Sequence, residues 1–172
     1  MPRTFTQAVG FLLGLGVVLY AASLAMSPTA RGDSGAPDGS PALEAQLLAE
    51  VNAVRESHHL IPLRRNAALD AVARRHSDDM ARRNYMSHVS PEGSNPVDRI
   101  ESGPLTGFTL AAENLGKTNR AEPNAEIVRS WLASPDHRRN LLAPPFNTTG
   151  IGIVRASDGS FIYTQLYVTI PR

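Results

Sequence analysis

The chain contains no cysteine. Disulfide staples, a thiolate nucleophile and cysteine-ligated zinc are therefore excluded. Export is not excluded, because a domain of this size can be secreted without crosslinks. Neither sign of charge is in excess: 17 Lys and Arg against 16 Asp and Glu leave a formal net charge of +1. Such a balance offers no field for a polyanion, and no nucleic acid partner is expected. The paired arginines at 64–65, 74–75, 82–83 and 138–139 do not change this. On the second helix they alternate with acids in two i, i+4 rows, Arg74-Asp78-Arg82 and Arg75-Asp79-Arg83, which reads as a solvated, salt-bridged face. Familiar catalytic motifs are missing too. There is no His-Glu-x-x-His helix, no Gly-x-Ser-x-Gly elbow and no phosphate-cradling glycine loop with lysine, and no serine is marked out as a nucleophile by its neighbours. No internal repeat is evident.

What is present begins with an export signal. Arg3 precedes an apolar, charge-free run from Ala8 to Met26, with Ser23-Leu24-Ala25 offering small residues for cleavage. The run approaches the ~20 residues that span a bilayer, so residues 1–26 are either a signal peptide or a retained N-terminal anchor. Membrane contact is expected only through this segment. Both alternatives place the rest of the chain outside the cytoplasm, secreted or tethered. Residues 27–41 are rich in Gly, Ser, Pro, Ala and Asp and bury no apolar surface, as expected of a flexible linker. Residues 42–172 remain as one domain, long enough for its own core.

Within that domain, Ser40-Pro41 opens a helix in which Leu43, Leu47, Val51 and Val54 recur at helical spacing. A second helix is expected over Ala67–Arg83, burying Leu69, Val72, Ala73, His76 and Met80. Residues 84–110, with Gly93, Pro96, Gly103, Pro104 and Gly107, read as loop. A third helix over Ala121–Ala133 would bury Ile127, Val128, Trp131 and Leu132, and Ser134-Pro135 caps and starts another. Thr149–Arg155 and Phe161–Thr169 read as two strands around Ser157-Asp158-Gly159. In the first of these, Gly150 and Gly152 leave one face bare, which signals close approach of another element. Helices first and a hairpin last predict an α+β fold.

Three residues stand in distinctive stretches. His88 lies in Tyr85-Met86-Ser87-His88-Val89-Ser90-Pro91, Glu113 in Ala112-Glu113-Asn114-Leu115, and His137 in Trp131-Leu132-Ala133-Ser134-Pro135-Asp136-His137-Arg138-Arg139-Asn140. Each has a bland reading. His88 can be a loop histidine bonded to backbone, Glu113 a buried structural carboxylate, and His137 a residue packed beneath Trp131. Glu113 can equally be a metal ligand, a base, or the partner that fixes a histidine tautomer. His76, on an apolar stripe, reads as a satisfied core residue, and His58-His59 as surface.

In this order the stretches resemble the signature of the CAP superfamily, the domain of cysteine-rich secretory proteins, antigen 5 and pathogenesis-related protein 1. The resemblance is to its cysteine-free bacterial SCP-like branch. It runs from Leu43 to Val168 and includes Asn52-Ala53-Val54-Arg55, Asp79-Met80, Asp98-Arg99 and Gly150-Ile151-Gly152. It implies an α-β-α sandwich, helices packed on both sides of a small antiparallel sheet. It also implies one cleft in which His88, Glu113 and His137 meet around Zn2+ or another divalent metal, with no organic cofactor. Tyr163 or Gln165, on the polar and aromatic face of the last strand, is expected on the cleft wall. One departure stands out: where many family members carry a second glutamate, this chain has Ser134.

Two functions follow as expectations. The first is a secreted, non-catalytic binding module whose His/Glu/His cleft holds a divalent metal or a small or lipid extracellular ligand. The alternative is a metal-assisted extracellular hydrolase with Glu113 as base.

Overall fold

Gly150 and Gly152 explain how the two halves of the chain fit together. In the computed structural model, which describes Phe5–Thr6 and residues 40–171, a Cβ on Gly152 would stand 2.2 Å from the backbone nitrogen of Arg74. One on Gly150 would stand 2.3 Å from the carbonyl carbon of Leu69. The strand is bare because a helix lies directly on it.

The elements run β1 (Phe5–Thr6), α1 (Ser40–Ser57), β2 (Arg64–Arg65), α2 (Ala67–Arg83), α3 (Pro96–Glu101), β3 (Leu110–Thr118), α4 (Pro123–Ala133), α5 (Pro135–Leu141), β4 (Thr148–Arg155) and β5 (Phe161–Thr169). The sheet order is β1-β3-β5-β4-β2. Its centre, β3-β5-β4, is antiparallel. The two-residue edges β1 and β2 pair in parallel with β3 and β4. Apart from Phe5–Thr6 and residues 40–41, the expected leader and linker lie outside the described residues.

Each face of the sheet carries its own core. On one side α2 and α3 bring Leu69, Val72 and Ile100 against Leu166 and Val168. On the other, α1, α4 and α5 bring Leu47, Val51, Trp131 and Leu141 against Ile151, Ile153, Tyr163 and Tyr167. This is the α-β-α sandwich, an α+β fold.

α2 has the span expected of it, and its ends show why. The Asn66 side chain accepts hydrogen bonds from the Ala68 and Leu69 amides, and Asn84 closes the helix in the left-handed conformation at φ 52°. α1 differs from its simple apolar stripe. Leu43 and Val54 are only half-buried, whereas Glu44 and Arg55 are fully buried. Glu44 accepts from Arg65, Arg74 and the Ile153 amide. Arg74 is thereby drawn out of the charge row expected on α2, and no side-chain hydrogen bond or ion pair joins Arg75 to Asp79 among the described residues. On this helix the i, i+4 pairs that do form are Arg82–Asp78 at 2.9 Å and Arg83–Asp79 at 3.5 Å.

Residues 84–110 are not loop throughout. Asn95 and Asp98 form a capping box, Pro96 takes the first turn, and α3 follows. β3 is a further element, one that the apolar spacing of the sequence does not announce.

Candidate functional site

Glu113 projects from β3 toward the side of the sheet covered by α2 and α3. It pairs in register with Leu166, which in turn pairs with Gly150, and residues so aligned share a face. Its carboxylate is fully buried. Oε1 lies 2.8 Å from Nδ1 of His88, and Oε2 accepts from Nη2 of Arg99 at 2.8 Å. A second histidine stands close behind, with Nε2 of His76 at 4.0 Å from Oε1.

The loop after α2 delivers His88, and Arg99 holds that loop in place. From the last turn of α3, Nη1 of Arg99 donates to the carbonyls of His88 at 3.0 Å and Ser94 at 2.7 Å. One guanidinium thus fixes both the backbone of His88 and the carboxylate that its ring meets. A carboxylate only accepts hydrogen bonds. The His88–Glu113 contact therefore puts the proton of a neutral imidazole on Nδ1 and makes Nε2 the basic nitrogen.

His76 is the buried, hydrogen-bonded residue that its place on α2 suggested: Nε2 lies 3.0 Å from the carbonyl oxygen of Ser87. Burial holds its imidazole below the ordinary histidine range, opposed in part by the nearby Glu113 carboxylate. His58 and His59 are exposed.

His137 occupies the first turn of α5 and is 2% exposed. Its link to Glu113 runs through two asparagines. Nδ2 of Asn114 donates to the His137 carbonyl at 3.0 Å, and Nδ2 of Asn140 donates to the Glu113 carbonyl at 3.2 Å and to Oδ1 of Asn114 at 3.0 Å. Ser134 sits between α4 and α5 at the cap position, but its side chain makes no capping hydrogen bond.

Tyr163 and Gln165 do not join the Glu113 side. Gln165 is in register with Asn114 rather than Glu113, so it and Tyr163 face α1, α4 and α5. There the Tyr163 hydroxyl donates to Asn124 at 3.0 Å. Gln165 accepts from Tyr167 at 2.8 Å and donates to Thr149 at 3.2 Å. These are structural bonds inside a core. The expectation that either residue lines a wall beside Glu113 is corrected by one residue of strand alternation.

The donor set bears on what the cleft can hold. Among the described residues no group of three or more His, Cys, Asp or Glu side chains is disposed to bind a metal ion. Glu113 in particular has one oxygen against an imidazole and the other against a guanidinium, and the arginine charge repels a cation approaching that carboxylate. Glu113 therefore fits the role of orienting His88 and does not fit that of a third ligand. Arg99 was visible in the sequence only as part of Asp98-Arg99, with no role; its signal was the capping box that places it on a helix.

Comparison with known proteins gives the family. Residues 48–167 match the model of the cysteine-rich secretory protein (CAP) family, and the chain belongs to that family. YkwD of Bacillus subtilis is 33% identical over 135 residues, covering 78% of this chain and 50% of its own length. The membrane protein YlbC of the same organism is 35% identical over 125 residues, 73% of this chain and 34% of its own. The chain thus spans half or less of the length of these relatives. Among solved structures, an extracellular SCP-domain protein from Bacillus anthracis shares 31% identity at a TM-score of 0.67, covering 80% of this chain and 45% of its own. An outer surface protein of Borrelia burgdorferi has the same fold at a TM-score of 0.69 and 22% identity, covering 76% of this chain and 94% of its own. Among the described residues no helix is long and apolar enough to cross a membrane.

Proposed function

We propose that this chain is an exported binding module whose cleft, centred on His88, takes a divalent cation or a small extracellular ligand and does not turn it over. The observation that carries this reading is the His88–Glu113 contact at 2.8 Å with Arg99 on the other carboxylate oxygen. A carboxylate held in this way aims an imidazole, whereas a general base needs an oxygen ready to receive a substrate proton. For a cation, His88 and His137 would be the donors and Glu113 would stand one bond further out, fixing the His88 tautomer. A bound ion of this kind would supply charge and coordination for a ligand's oxygen atoms. Export rests on the apolar run at Ala8–Met26 and agrees with the extracellular setting of the Bacillus anthracis protein.

The test is a thermal-shift series with divalent ions and small ligands, run beside peptide and glycan hydrolysis assays on the same preparation. A ligand-dependent rise in melting temperature and no hydrolysis are expected. Hydrolysis that vanishes in Glu113→Gln while metal is retained would establish the enzyme reading instead.

A further inference from the structure

A concave site lies on the α2–α3 side of the molecule. A cavity of about 210 Å³ opens there, bordered by Arg75, His76, Arg99, Ser90, Ser94 and Ser102. It is smaller than the roughly 300–1,000 Å³ of pockets that enclose drug-sized ligands, so it suits a single small group.

The balance of donors and acceptors around it is uneven. Two carboxylates, Asp79 and Glu92, also reach the lining. Both are already engaged: Asp79 accepts from the Tyr85 hydroxyl at 2.6 Å, and Arg83 approaches Asp79 at 3.5 Å and Glu92 at 2.6 Å. The donors are less fully used. Among the described residues nothing hydrogen-bonds or ion-pairs with the Arg75 side chain, while its α2 neighbours Arg74, Arg82 and Arg83 all find carboxylates. Arg99, by contrast, has both terminal nitrogens engaged and its Nε–H sealed from solvent, which leaves Arg75 as the charge open to a ligand. A guanidinium presents its N–H groups in a fork that matches two oxygens of one anion.

We propose that this cavity, which borders the Glu113 network through His76 and Arg99, binds a small oxyanion, the phosphate or carboxylate group of a soluble molecule. Arg75 supplies the principal charge and a two-pronged contact, with the Ser94 hydroxyl beside it. Asp79 and Glu92, held by Arg83 and Tyr85, set the rim and exclude larger anions by repulsion.

The experiment titrates inorganic phosphate and, separately, acetate into the 15N-labelled full chain. Arg75→Gln, Arg75→Lys and the exposed control Arg120→Gln are titrated alongside. Saturable shifts confined to the amides of Ser90, Ser94 and Arg99 and the Nε–H of Arg75 are expected with at least one of the two anions; which one responds identifies the group. Arg75→Gln should weaken binding by at least about tenfold. Arg75→Lys should weaken it too, because a lysine keeps the charge without the fork, and Arg120→Gln should match the parent chain. Shifts that never saturate, that are equal in Arg75→Gln, or that are absent with both anions would overturn the proposal. Among the described residues Arg75 bonds to neither His88 nor Glu113, so loss of anion binding in Arg75→Gln leaves the reading of the His88 site standing.

Discussion

Arg55 reaches from α1 to the end of α5, where its Nη1 donates to the carbonyl of Leu141 at 2.7 Å across 86 residues of sequence. The same fully buried guanidinium also donates to the carbonyls of Ile61, Ala143 and Phe146. The C-terminal carbonyls of a helix lack partners within it, and Arg55 supplies one to the last residue of α5, Leu141. Because α5 carries His137, this bond joins the stability of the domain to the position of a candidate ligand.

Replacing Arg55 should therefore be among the most damaging single changes. Arg55→Met leaves several buried carbonyls without donors, each costing about 1–3 kcal/mol, so a loss of at least about 3 kcal/mol is expected in urea unfolding. Arg55→Lys should recover little of it, since an ammonium cannot span four carbonyls as a planar fork does. Parent-like stability in Arg55→Lys would contradict this role.

The glycines of β4 give a second test. Gly152→Ala would set a Cβ 2.2 Å from the α2 backbone, where neither element can yield cheaply, and a loss of about 2 kcal/mol or more is expected. Gly116→Ala meets only the Cδ1 end of Ile127, at 2.6 Å, which can rotate aside. Its cost should be clearly smaller, and equal unfolding midpoints for the two variants would count against the close packing of α2 on β4.

The outline of the fold was legible where periodicity is strong, and less so elsewhere. α2 and the hairpin strands read directly because their apolar spacing matches one element each. β3 did not: Leu110–Thr118 is buried along most of its length, and a strand buried on both faces loses the alternation that marks it. Glu44 and Arg55 are core residues that apolar spacing does not mark, because most of their partners lie far away in the chain. At the site, His88 and Glu113 stand in distinctive stretches of sequence and lie 2.8 Å apart in the fold. The side of the sheet taken by Tyr163 and Gln165 depends on the register between strands, which no single strand's pattern reveals.

His76 should tilt the pH dependence of stability. Burial lowers its pKa in the folded protein, while the unfolded chain keeps a value near ~6.5. Between those two values the unfolded state holds more protons, so stability rises with pH. The contribution is complete above about 6.5 and is lost as pH falls from there through the lowered folded value. Urea midpoints measured from neutral toward acid should fall less steeply in His76→Gln than in the parent, and an unchanged slope would remove His76 from the account.

Zinc titration separates the roles around the cleft. His88→Ala and His137→Ala should each abolish measurable binding, because a site with two protein donors has no redundancy. Glu113→Gln should weaken binding by about 10–100-fold, the usual effect of losing a group that orients a ligand. Loss in Glu113→Gln as complete as in His88→Ala would make Glu113 a direct ligand.

Glu113 fixes the His88 ring with Nε2 as its basic nitrogen. Long-range 15N–1H NMR of the imidazoles reads the tautomer directly. At a pH where His88 is neutral, the expected spectrum shows the proton on Nδ1 and none on Nε2, with that preference lost in Glu113→Gln. A parent chain with the proton on Nε2 and none on Nδ1 would contradict the account at its centre.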